Sequence, residues 1–148
     1  MLRIWQKTEK QKLEPVGMGT AFPFLKEKNH VVSIIGGGGK TTLLYEMAGF
    51  CVKNDQKVLV TTSTHIYRPP KGGHDQSLEA VERKFRTGRA AIIGSACRDP
   101  EKLSMPETEL FEAARKKADL TLIEADGARH LPCKAPALRQ PPGHPKEA

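Results

Sequence analysis

No stretch of the 148 residues approaches the roughly 18 to 20 consecutive apolar residues that a membrane-crossing helix needs, which argues against a spanning protein. The first dozen residues, Met1 to Lys12, carry charges where a secretory signal would need its apolar segment, so neither secretion nor a membrane partner is expected. Three cysteines, Cys51, Cys97 and Cys133, are too few and too far apart for a Cys-x-x-Cys metal or redox pair. Their odd number also argues against a closed disulfide framework and for the cytoplasm. Aromatic residues make up only 5%, which leaves little material for the base-stacking platforms of single-strand binding proteins.

What is abundant is positive charge, with 24 Lys and Arg against 17 Asp and Glu and a formal net charge of +7. Its distribution decides what it means. Residues 1–28 hold six basic and three acidic residues and residues 129–148 hold four and one, leaving 14 and 13 for the body. The middle of the chain is nearly neutral. A duplex-binding domain concentrates basic residues on one folded face, so nucleic acid is not the expected partner.

Length and composition fit a single domain, with 38% hydrophobic residues. His30 to Ile35 is a β-branched run that ends abruptly in Gly36, Gly37, Gly38 and Gly39, and it reads as a buried strand. Lys40 to Lys53 carries Leu43, Leu44, Met47, Ala48, Phe50 and Cys51 at helical spacing, closed by Asn54 and Asp55. Lys57 to Thr62 predicts a second strand, joined to the first by a crossover long enough for a parallel neighbour. A helix over Gln76–Thr87 and a strand over Ala90–Gly94 follow. Ser104 and Glu107 form a capping-box pattern for a helix running to Ala118, and Asp119–Glu124 predicts a fourth strand. Alternating strands and helices imply an α/β fold with a mostly parallel sheet covered on both faces. Residues 1–19 read as a poorly ordered leader with at most a small strand or helix, residues 20–134 as the domain, and residues 135–148 as a disordered proline-rich tail holding four of the 11 prolines.

The stretch Gly36-Gly-Gly-Gly-Lys40-Thr41-Thr42 carries the most chemistry. Glycines let backbone N–H groups approach phosphate oxygens without side-chain collision, and the following helix offers its positive end. Lys40 supplies a mobile charge, and Thr41 a hydroxyl where Mg²⁺ between phosphates takes a ligand. The formal pattern would place its first glycine at position 34, occupied here by Ile34, so the loop is expected to be short or irregular. A nucleotide site also needs an acidic strand end, and Glu124 or Asp126 in Leu120-Thr-Leu-Ile-Glu-Ala-Asp-Gly127 is the candidate for it. Against this stands the plainer reading of a flexible glycine turn and an ordinary strand-to-turn junction. Thr61-Thr-Ser-Thr-His65 should emerge at the carboxyl edge of the sheet, where its hydroxyls can meet phosphate or substrate. His65 reads equally as a structural histidine.

Taken together, Val31 to Leu44, Val58 to His65, Leu122-Ile-Glu-Ala-Asp-Gly-Ala-Arg129 and Lys134-Ala-Pro-Ala137 resemble the YqeC family, accessory proteins of selenium-dependent molybdenum hydroxylases. The resemblance covers about residues 20–137 and rests mainly on the Glu-Ala-Asp-Gly-Ala block combined with Lys-Ala-Pro-Ala. It implies a P-loop NTPase-like three-layer fold, incomplete at the C-terminus, because Leu138 onward departs from the family's further strands and helices. Carried over by motif, Gly36 to Gly39, Lys40, Thr41 and Thr42 would hold ATP or GTP. Thr41, Glu124 and Asp126 would face Mg²⁺ or attacking water, with Lys40 and Asp126 in catalytic roles and Lys134 as a further basic contact. The implied partner is a molybdenum hydroxylase or its cofactor-maturation machinery. Two alternatives stand beside a Mg²⁺-dependent NTPase. One is a non-catalytic nucleotide- or partner-binding module. The other is a small-molecule kinase, for which Arg83, Arg86 and Arg89 form the only arginine cluster, a cluster that reads as readily as a solvated helix face.

Overall fold

The computed structural model describes residues 2–69 and 73–127. The chain opens with a hairpin of β1 (Ile4–Lys7) and β2 (Leu13–Val16), followed by a one-turn helix α1 (Met18–Ala21) and a 3₁₀ turn at Pro23–Lys26. The main body then runs β3 (His30–Gly36), α2 (Lys40–Lys53), β4 (Val58–Thr62), β5 (His65–Tyr67), α3 (Leu78–Arg86), β6 (Ala91–Ile92), β7 (Ser95–Ala96), β8 (Lys102–Ser104), α4 (Thr108–Lys117) and β9 (Leu120–Gly127). Proline-rich residues 135–148, together with Arg129, His130, Cys133 and Lys134, lie outside the described residues.

Four strands form a fully parallel sheet in the order β3-β9-β4-β6. Parallel strands buried on both faces should be apolar almost without alternation. Accordingly, every residue of β4 is buried, as are Leu120, Leu122 and Ile123 of β9. One face (Ile34, Val58, Val60, Leu120, Leu122) packs against Leu44, Met47, Ala48 and Cys51 of α2. The other (Leu59, Ile123) packs against Val81 of α3 and Phe111 and Ala114 of α4. The Cys51 thiol, fully buried, is pushed up to about 11 by that burial, as expected of a small core residue.

Two expectations need correction. The strand after the glycine helix is not the neighbour of the strand before it: β9 inserts between β3 and β4 and pairs with both. Residues 120–125 of β9 are buried without a break, and the centre of a two-sided sheet is where a strand loses the most water-exposed area. The capping box at Ser104 does not form. Ser104 belongs to β8 and its hydroxyl donates to the Ser95 carbonyl, while Glu107 is the N-cap of α4 and makes no side-chain cap bond. The helix that does have a side-chain cap is α3, where Ser77 Oγ accepts from Ala80 N–H.

A second, antiparallel sheet of order β5-β8-β7 follows the end of β4. Its strands are two or three residues long, and its buried side contributes Ile66 and Leu103 to the core on the α2 face. The two free edges of the parallel sheet differ. Along β6, Asp75 does the work of a strand: its N–H donates to the Ile92 carbonyl and its carboxylate accepts from the Ile92 N–H. β3 pairs only with β9 among the described residues, and Ile35 near its end is 73% exposed.

Candidate functional site

All four main strands run in one direction, so Gly36, Thr62 and Glu124 come to the same edge of the sheet. The register places Thr62 opposite Glu124 and Gly36 opposite Gly127, with an irregularity between Ile34 and Gly36 where β3 turns away. Ile34, standing where the formal phosphate-loop pattern wants glycine, is a core residue on the α2 face. The loop proper is therefore short: Gly37, Gly38 and Gly39 link the strand directly to α2.

The glycines have different reasons to be there. Gly36 has φ +144° and Gly39 has φ +71°, conformations in which a side chain is strained. Gly38 has no such constraint, and among the described residues a Cβ built at Gly36, Gly38 or Gly39 would meet nothing within 4 Å. Packing among the described residues thus does not require glycine at 38; a ligand drawn close to the backbone would. Gly39 is the N-cap of α2 and offers no side-chain acceptor, so the first-turn N–H groups have no intrahelical partner and no side-chain cap. Lys40 arches back over the loop and its ammonium donates to the Gly36 carbonyl at 3.1 Å.

Thr41 and Glu124 meet across the loop. The Thr41 hydroxyl donates to Glu124 Oε2 at 2.6 Å, joining the first turn of α2 to the centre of the sheet. Glu124 is only 8% exposed. A carboxylate so placed needs partners, and one charge-assisted bond of this kind contributes roughly 1.5–3 kcal/mol. One turn further along α2, the Tyr45 hydroxyl donates to the Tyr67 carbonyl of β5 at 2.9 Å. Burial, reinforced by the Glu124 charge, pushes the Tyr45 phenol up to about 12.

A hydroxyl and a carboxylate converging within 2.6 Å beside a lysine and a helix start without a side-chain cap is a donor set that suits a Mg²⁺–polyphosphate. Thr42 stands in the same first turn, exposed. Asp126 falls within β9 rather than in a following loop, and only its backbone belongs to the described structure. No group of three or more His, Cys, Asp or Glu side chains gathers among the described residues, so the set is of the hydroxyl–carboxylate kind rather than a protein-only metal cage.

Two of the hydroxyls expected to face a ligand are committed to the fold. Thr61 Oγ1 donates to the Ile93 carbonyl and Thr62 Oγ1 to the Glu124 carbonyl, both side chains being buried. Ser63 and Thr64, half-buried, remain at the edge, and His65 is exposed on β5. Tyr45 is the residue that sequence reading passed over. Its position four after Thr41, on the same face of the helix, was the available signal.

Comparison with known proteins bears on this arrangement. Residues 32–146 match the sequence model of the YqeC protein family. The protein called YqeC in Escherichia coli (strain K12) is 28% identical over 126 residues, a match covering 75% of this chain and 46% of the relative. The chain thus spans about half the length of that curated relative. No solved structure matches it. No helix among the described residues is long and apolar enough to cross a membrane. With the greater part of its length inside the family match, the chain belongs to the YqeC family.

Proposed function

We propose that this protein is a P-loop nucleoside-triphosphate-binding accessory protein, dependent on Mg²⁺, which hydrolyses or switches on ATP or GTP. The step it serves, by family resemblance, is the maturation of a selenium-dependent molybdenum hydroxylase. The observation that carries the nucleotide reading is the 2.6 Å bond between Thr41 and Glu124, which brings two unlike metal-ligand types to one point beside the glycine loop. Without it the glycines would be only a turn.

In this reading the N–H groups of Gly36 to Gly39 and of the first turn of α2 bind the phosphates, and Lys40 exchanges the Gly36 carbonyl for a phosphate oxygen. Thr41 and Glu124 would hold Mg²⁺, with Asp126 the second carboxylate available to it or to water. Bound there, the ion would supply charge neutralisation between neighbouring phosphates. Thr42 adds a hydroxyl at the helix start.

Titration with a fluorescent ATP or GTP analogue in the presence of Mg²⁺ tests this directly. Lys40→Ala should weaken saturable binding by about 10- to 150-fold, the worth of one charged hydrogen bond. Unchanged affinity overturns the reading. The second reading is a module that binds nucleotide without turning it over. Binding without Lys40-dependent release of phosphate would select it.

A further inference from the structure

We propose that the N-terminal hairpin is a docking surface for an anionic lipid bilayer, independent of the nucleotide site. The pairing of Trp5 with Pro15 and of Lys7 with Leu13 places these four side chains on one face of the ribbon. Ile4 and Val16, on the other face, are half-buried, and the hairpin meets the body through α1. Trp5 is 53% and Leu13 67% exposed, and Leu2, just before the strand, is also exposed. Half of the exposed large apolar residues in the described structure therefore sit in this short hairpin or just before it.

Charge decides what such a face meets. It carries Lys7 and no carboxylate. Arg3 precedes the strand, Lys10 and Lys12 lie in the turn with Glu9, and Glu14 pairs with Gln6 on the opposite face. A second copy of the chain would bring like charges together. The ribbon is also small: four residues per strand make it roughly 13 Å long, a fraction of the ~800 Å² that each side of a specific protein interface contributes. A bilayer surface needs no such matched area. Tryptophan and leucine enter the headgroup region while lysine and arginine stems reach the phosphates beside them. Absence of a spanning segment does not bear on this mode, in which the chain lies on the membrane rather than across it.

Trp5 is the only tryptophan, so its emission reports on this face alone. The full chain, titrated at low salt with phosphatidylglycerol vesicles, should show a blue shift of Trp5 emission that phosphatidylcholine vesicles do not produce. Each cation near an anionic surface is worth about fivefold in affinity, so the charge reversal Lys7→Glu should weaken binding by roughly 25-fold. Leu13→Asp should weaken co-sedimentation with the same vesicles, and Arg86→Glu, on α3, should leave both readouts unchanged. Unaltered thermal midpoints would show that these surface variants still fold. Absence of a Trp5 shift, an equal shift with phosphatidylcholine, or co-sedimentation indifferent to Lys7→Glu would overturn the proposal. So would a Trp5 shift with single-stranded DNA or soluble polyphosphate but not with vesicles, which would assign the face to a soluble polyanion.

Discussion

Thr41 and Glu124 are 83 residues apart in the chain, and each was legible for its own reason: a hydroxyl after a lysine, a carboxylate after an apolar run. What the linear pattern cannot carry is which hydroxyls remain available once the backbone is paired. Thr61 and Thr62 satisfy carbonyls at the sheet edge instead of facing outward. Tyr45 shows how such a local arrangement becomes measurable. Its phenol is protonated more firmly in the fold, at about 12 against an ordinary value of 10.0, so the stability linked to it is complete below pH 10 and is lost as pH rises through about 12. Between those limits the wild type should lose stability more steeply than Tyr45→Phe in denaturant melts. At neutral pH the variant should be weaker by about 0.5–1.5 kcal/mol for the lost bond to Tyr67. Parallel slopes for the two proteins would refute the assignment.

At the level of elements, the long periodic segments were readable to within a residue or two, as in α2 and β3, because burial imposes its period over many positions. The small sheet β5-β8-β7 was not. Segments of two or three residues show no period, and their pairing is set by where the ends of β4 and β6 leave the chain. Gly94 is the position that makes this sheet fit. A Cβ there would lie 2.8 Å from Leu103 Cβ and 2.9 Å from the Ser104 carbonyl, neither of which can move without shifting β8. Gly94→Ala should therefore destabilise the protein by about 1–3 kcal/mol, the usual cost of overpacking, as read from urea midpoints at unchanged m-value. Gly38→Ala, which meets no neighbour, should leave stability nearly unchanged.

For the whole molecule, the contrast between the two sheet edges sets its behaviour in concentrated solution. Asp75 closes the β6 edge, whereas β3 has a neighbour on one side only among the described residues and carries exposed Ile35 near its end. An open strand edge is a template for pairing with another chain. Ile35→Lys should lower concentration-dependent light scattering without changing the unfolding midpoint by more than about 0.5 kcal/mol. Scattering that does not respond would move the association surface elsewhere. The parallel architecture itself was legible because strand, helix and strand alternate. The order of the strands was not, since nothing local tells β9 that its place is in the middle.

That central place has a consequence for how the protein comes into being. Thr62 and Glu124, neighbours in the finished sheet, are 62 residues apart. At a synthesis rate of about 5–20 residues per second, β4 waits roughly 3–12 s for the strand that will sit between it and β3. β4 and β6 both precede β9 and can pair first, whereas β3, which pairs with β9, has to wait for it. The lysine of the glycine loop, the threonine beside it and the glutamate therefore come together only once β9 is in place.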